Sequence, residues 1–351
     1  MGARNSWAQA AGFNAMLVPP LALALGVAIG LHWLNFILLL VIAPLAHGAF
    51  GDAGRQEREW HEPVSIWLHR LPMLTGGVLL GAIAFVAIRV NWTGSSALQI
   101  VGTGASLWAA FAMGSCLAHD LLHRSDPSAQ TLGRLIAGAI GYPFLEHEHR
   151  SHHQRSDWPR SSESLWAYTA RRAGTVVREA RARDSDAAAW AGNRWSGGLA
   201  VACAAFAITA LTFALTGGLI ALVCYLAAAL TLSWTVQAMT YLQHWGLGED
   251  SLQRTQRERQ WSWEDVCMLQ AWLTVGLSLH QGHHDREGAS FYRMEPVEDA
   301  PRLPGGYVPM LLISMVPALW FRVMVPALQQ WKRNPHTSQA TPDRRLVCVP
   351  H

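Results

Sequence analysis

The stretch Glu146 to His153, EHEHRSHH, packs four histidines and two glutamates into eight residues. Three other groups answer it along the chain: His119-Asp-Leu-Leu-His123, His244 after Tyr-Leu-Gln, and His280-Gln-Gly-His283-His284. Clustered ionisable groups beside long apolar segments are costly unless they serve a purpose, and neutral imidazole is the commonest metal ligand. His119 and His123 lie four apart and so project from one helix face, the spacing by which helical histidines hold a metal. His149, His152 and His153 repeat this at i, i+3, i+4, as do His280, His283 and His284. At ~100° per residue, His149 falls within about 60° of His152 and His153, whereas His147 is about 140° and 120° away. The helical face therefore favours His149 as ligand and leaves His147 as the alternative. The predicted ligand set is His119, His123, His149, His152, His153, His244, His280, His283 and His284. Nine imidazoles are too many for one ion and suit two.

Imidazole suits zinc, copper, iron and nickel, but a structural zinc site closes with four ligands and no thiolate accompanies these histidines. A histidine-rich pair of ions with open positions beside an apolar cavity suits non-haem iron and O2. Asp120, Glu146, Glu148 and Asp285 neighbour the ligands, where a carboxylate can fix an imidazole tautomer. A membrane metal transporter is a remote alternative, since it would place its ligands near the bilayer midplane. A zinc hydrolase is another.

The elements that must position these groups are apolar. The chain has 351 residues, 51% hydrophobic and 15% charged, well below the ~25% charge of soluble proteins. Its net charge of +3 and scattered arginines give no reason to expect nucleic acid. Five dispersed cysteines without CxxC spacing read as small buried hydrophobes. From Asn5 to Gly51 no Asp, Glu, Lys or Arg occurs, a run about twice the ~20 residues a spanning helix needs. Arg4 alone precedes it, so no cleaved signal peptide is expected.

The predicted fold is an all-α integral membrane protein of six transmembrane helices in three hairpins, with spans at 13–30, 33–50, 71–88, 97–118, 197–216 and 219–243. Residues 1–328 form one domain and 329–351 a polar tail. Segments 131–145, 266–284 and 303–321 are expected as buried or interfacial helices. On this topology only Arg89 of the 27 basic residues reaches the face opposite the termini. The positive-inside rule then puts both termini and every histidine group in the cytoplasm, with the histidines as a cap, as in a bacterial inner-membrane protein. The remaining histidines, among them His32 and His47, read as interfacial, most tryptophans as an interfacial belt, and the arginines from Arg171 to Arg183 as a solvated or headgroup-facing surface.

The boxes HxxxH, HxxHH and a late HxxHH resemble the integral-membrane di-iron desaturase and hydroxylase superfamily. Within it the chain is most similar to the membrane alkane hydroxylases, through HDLLHR from His119, Glu146-His147, MTYLQHWGL from Met239, Glu163-Ser-Leu-Trp-Ala-Tyr168 and Pro304-Gly-Gly-Tyr307. The likeness covers roughly residues 45 to 328. Two features depart from it: the second box has desaturase spacing from His149, and Trp245 stands where a tyrosine is expected. The resemblance implies two non-haem Fe ions, O2 as cosubstrate and oxidation of an unactivated alkyl chain, chiefly terminal hydroxylation of an alkane or fatty-acyl chain. Fatty acid desaturation and oxidative decarboxylation to a terminal alkene are the alternatives, because these reactions share the first hydrogen abstraction. It also implies an external electron donor, a rubredoxin or ferredoxin with its reductase, and the sequence itself shows no CxxC pair or GxGxxG motif to carry electrons.

Overall fold

The computed structural model describes residues 3–54, 59–154, 158–191, 197–248, 261–286 and 288–333. Every regular element among them is helical, and the only β pairing is two isolated bridges, Asp52 with Cys267 and Glu264 with Arg302. Four helices are long and apolar enough to cross a membrane: α1 (Trp7–Ala28), α3 (Glu62–Arg89), α4 (Ala97–His123) and α8 (Gly197–His244). Between α1 and α3 lies the shorter α2 (Leu34–Leu45). The histidine side carries α5 (Pro127–Ala139), α6 (Leu145–Gln154), α7 (Leu165–Ala191), α9 (Met268–Leu273), α10 (His280–Asp285), α11 (Tyr307–Ser314) and α12 (Pro317–Arg333).

Local chemistry sets several of these boundaries. Ser96 caps α4: its hydroxyl accepts from the Gln99 amide at 3.3 Å while the Gln99 side chain accepts from Ser96 N–H at 2.8 Å, a reciprocal capping box. In α1, Pro19 and Pro20 begin the regular helix after a 3-10 stretch, Ala11–Leu17, where a missing N–H costs nothing. The expected span 33–50 is instead the twelve-residue α2, about 18 Å long, containing a π turn at Leu38–Ile42 and ending just past Pro44. The third and fourth spans are longer than expected, since α3 starts at Glu62 and carries Pro72 in its interior, and α4 continues to His123.

The 48-residue α8 folds back on itself at Gly218, whose φ of 65° and ψ of −154° are non-helical. The Phe206 and Phe213 rings both pack on Tyr225, at 6.1 and 5.0 Å. A straight helix would hold them about 28 and 18 Å from it. Thr216-Gly217-Gly218 is thus a turn, as the sequence suggests, because glycine alone enters that conformation without a Cβ penalty. The core joins α3, α4, α5 and α8 through Leu68, Leu71, Leu107, Phe111, Ile136 and Tyr225, all buried. Gly138 of α5 lets the backbones meet: a Cβ there would lie 2.1 Å from the Ala202 carbonyl oxygen of α8.

Three expectations on the histidine side change. Segment 131–145 overlaps the half-buried α5, which starts earlier, at Pro127 behind the Asp126 cap, and ends earlier, at Ala139. Segment 266–284 is two short helices, α9 and α10, parted by Val275 (φ 55°) and Gly276 (φ 76°). Segment 303–321 is a hairpin, α11 and α12, broken before Pro317, since a residue preceding proline is driven out of the helical region. The boundary drawn at 329 falls inside α12, which reaches Arg333; residues 334 to 351 lie outside the described residues.

Candidate metal centre

Four elements bring histidines together. His119 and His123 end α4, His149 and His152 lie on α6, His244 ends α8, and His280, His283 and His284 lie on α10. They gather into two groups, His119, His123, His149 with His283, and His152, His244, His280 with His284; within each, one ring nitrogen per residue lies within 4.8 Å of all the others. The helices are shared out between the groups. α6 sends His149 to the first and His152 to the second, and α10 sends His283 to the first and His280 and His284 to the second. His147 is buried on α6 but belongs to neither group. The side chain of His153 lies outside the described residues.

In the second group the Nε2 atom of His152 is 3.2 Å from that of His244 and 3.3 Å from that of His280, and His280 Nε2 is 3.1 Å from His284 Nε2. Ligand nitrogens ~2.1 Å from one ion stand about 3.0 to 3.4 Å apart at right or tetrahedral angles, so these separations match edges of a coordination polyhedron. In the first group His123 Nε2 and His149 Nε2 are 2.5 Å apart, and the His119 ring sits 4.1 Å from that of His149 and 4.6 Å from that of His283. The donor set fits a metal in both groups.

The surroundings prepare the imidazoles. His244 Nδ1 is 3.2 Å from the Trp261 carbonyl oxygen; a carbonyl only accepts, so Nδ1 carries the proton and Nε2 presents its lone pair to the group. Trp158 stacks on the His244 ring at 3.9 Å and meets His152 edge-on at 4.8 Å. Burial pushes His280 well below the ordinary histidine range, and the neighbouring histidines add to the shift. It is held neutral, the form that ligates.

The short α10 has no side-chain cap at its N-terminus and is tethered from outside. Fully buried Glu264 accepts from the amides of Gly282 and Val297, each at 3.2 Å, and contacts the Arg302 guanidinium. Burial raises the Glu264 pKa against the opposing pull of Arg302 and the two amides. Gln281 accepts from Ser262 N–H at 2.7 Å and donates to Asp285 at 2.9 Å. Sequence reading missed Glu264, Trp158 and Trp261, which belong to no histidine motif: Glu264 and Trp261 lie between His244 and His280, and Trp158 just follows the second box. His47, expected to be interfacial, is 3.0 Å from Asp265 in the same segment.

The carboxylates beside the boxes make ion pairs that fix backbone elements. Asp120 bonds Arg124 at 2.7 Å, and Glu146 bonds Arg134 at 2.7 Å and Arg150 at 2.8 Å. Buried Glu148 accepts from the Tyr142 hydroxyl and, at 2.5 Å, from Gln237, with Arg172 at 3.7 Å. Arg172 is only 1% exposed and grips Glu179 through two 3.0 Å bonds, so it is not part of a solvated face. Arg171 is exposed and pairs with Glu163, and Arg178 is exposed; the Arg181 and Arg183 side chains lie outside the described residues. Trp245 is buried, donates to the Glu163 carbonyl at 3.2 Å and packs on Trp320.

A cavity of about 170 Å³ meets both groups, touching His119 and His149 of the first and His152 and His280 of the second. One water fills ~10–15 Å³ on this measure, so the space suits a ligand of many atoms. From the histidines its walls descend along α4 (Cys116, Ala112, Trp108) and α8 (Thr240, Val236, Thr235), with Leu39 and Leu40 of α2 opposite. Its lining is largely apolar.

The family model described as fatty acid desaturase matches residues 95–314. The chain belongs to the fatty acid desaturase family. As a member it is a membrane oxidoreductase, and its matched region runs from the capped start of α4 through all the histidine boxes. Among its relatives is alkane 1-monooxygenase 2 of Pseudomonas aeruginosa, 24% identical over 75% of this chain and 73% of that protein. Alkane 1-monooxygenase 1 of the same organism is 24% identical over 84% and 82%. The xylene/toluene monooxygenase hydroxylase component XylM of Pseudomonas putida is 25% identical over 80% and 77%.

Proposed function

We propose that this desaturase-family chain catalyses the O2-dependent oxidation of an unactivated alkyl chain, by terminal hydroxylation of an alkane or fatty-acyl substrate. One observation carries the reading: an apolar cavity meets both histidine groups and descends between helices long enough to span a bilayer. The eight gathered histidines, with His153 as the ninth, hold two non-haem iron ions; iron with O2 and external electrons supplies the oxidant that an unactivated C–H bond requires. The chain's own residues do the rest. The Trp261 carbonyl and the Glu264 tethers orient the imidazoles, and the cavity walls exclude water and align the substrate with its end carbon toward the histidines. The stretch from His119 down to Trp108 is about 16 Å long, room for an extended chain.

Six apolar segments enter the membrane in three hairpins, α2 going only part-way, and the arginine distribution puts the histidine side in the cytoplasm. Electrons come from a rubredoxin or ferredoxin with its reductase. The test is iron analysis and product identification on purified protein supplied with a reductase system, O2 and an n-alkane or fatty acid. Two irons per chain and a terminal alcohol are expected, and zinc without iron, or no O2 uptake with any aliphatic substrate, would overturn the reading. His149→Ala should lose iron while His147→Ala retains it. Desaturation stands as a second reading because the His149-x-x-His152-His153 spacing is that of desaturases; an alkene product would establish it.

A further inference from the structure

The hairpin of α11 and α12 packs against the last turns of α8 in a way that fixes its depth. Tyr307, at the start of α11, accepts from Gln243 at 3.1 Å. At the tip, the Trp166 indole donates to the Met315 carbonyl at 2.9 Å and stacks on Trp234 at 5.8 Å. α11 thus descends about 12 Å over eight residues while α8 covers about 13 Å between Gln243 and Trp234. α12 climbs back: Trp320 packs on Tyr241 and Trp245, and Trp331 packs on Trp261.

The membrane boundary can be placed from the spans. About 20 helical residues cross the hydrocarbon layer; counted from Leu219 they reach Ala238, from Ala97 they reach Cys116, and back from Arg89 they reach Arg70. These three points lie six, three and one residues short of His244, His119 and His69, so they mark a level below the histidines. Trp234 is about 6 Å inside that level. It also continues the exposed stripe of Val223, Leu226 and Leu230 on α8, the face turned to lipid.

We propose that the α11–α12 hairpin is inserted in the leaflet on the histidine side, with its tip among the acyl chains. Leu312 (61% exposed), Met315 (38%), Val316 (47%) and Leu319 (48%) form the lipid-contacting surface. The depth matches the ~5–10 Å reached by interfacial helices. The backbone of the tip is satisfied from within, as hydrocarbon demands. Met315 and Val316 donate to the Leu312 and Ile313 carbonyls, Trp166 covers the Met315 carbonyl, and Pro317 has no N–H to place. The inner face of α11 presents Tyr307, Val308 and Leu311 to the cavity. A single helix therefore separates the cavity from the acyl chains.

The inference rests on the membrane reading of α3, α4 and α8, not on the oxidation chemistry. Full-length protein with Cys203 and Cys348 changed to serine is labelled with an environment-sensitive fluorophore at Leu312→Cys or Val316→Cys, and at Gln330→Cys near the far end of α12. Leu230→Cys serves as the lipid control and Arg178→Cys as the aqueous control. In phosphatidylethanolamine–phosphatidylglycerol vesicles, labels at 312 and 316 should lose fluorescence to nitroxides on shallow acyl carbons, as at 230, and the label at 330 should lose it to aqueous iodide, as at 178. Iodide quenching at 312 and 316, or protection from both quenchers as under a second protein copy, overturns the proposal. A label at 230 open to iodide would instead overturn the membrane reading of α8, and the proposal with it.

Discussion

The two histidine groups differ in how they are built. The first takes two of its four members from the foot of one rigid helix, His119 and His123 of α4, and both His123 and His149 are half-buried. The second draws its members from α6, α8 and α10, buries three of the four, and walls His244 and His152 with Trp158. Each group draws on three helices and contains one i, i+4 pair, His119 with His123 and His280 with His284. They differ in the helix that carries the pair, the 27-residue α4 for the first and the six-residue α10 for the second. The second group, with its pair on the short α10 and its His244 ring stacked on Trp158, therefore leans more on residues that are not ligands, and changes at those residues should not fall equally on the two groups.

The largest effect is expected from removing a ligand. His280→Ala should abolish activity and cost the iron of the second group, while His119→Ala should abolish activity and cost that of the first. Iron per chain measured on each variant checks this, and loss of both ions from either change would show the groups to be one unit. Next, Glu264→Ala leaves the buried Gly282 amide and the part-buried Val297 amide without their acceptor and Arg302 without its carboxylate partner. A loss of about 2–4 kcal/mol in stability is expected, read as a lower melting temperature, together with weakened metal binding in both groups because α10 serves both.

Trp158→Leu removes the stacked indole from His244 and should weaken metal binding at the second group by about 10-fold with little effect at the first, as read by iron retention under a chelator. The smallest change is Ser96→Ala. It removes the cap of α4 and should cost ~1 kcal/mol of stability with both irons retained, because the cap lies 23 residues before His119 and the core holds the helix between them.

Much of this was legible in the sequence. The boxes are written in helical spacing, and the preference for His149 over His147 rests on the angle between residues of one helix; the structure places His149 in the first group and His147 in neither. The turn at Gly217-Gly218 was readable because glycine breaks an otherwise uniform apolar run. The length of α2 was not, since hydropathy counts apolar residues without regard to the π turn at Leu38–Ile42 or to the end of the helix at Leu45. Nor was the burial of Arg172, whose partners Glu148 and Glu179 come together only when α6 packs on α7.

The sequence alone determined the family, the helical class and the residue types of the metal centre, because local periodicity and composition are properties of the chain itself. Only the tertiary structure decided how the histidines divide into two groups, which buried groups hold α10, and that α11 and α12 form a hairpin against α8. Those depend on contacts between segments distant in the chain, and no spacing within a single box specifies them.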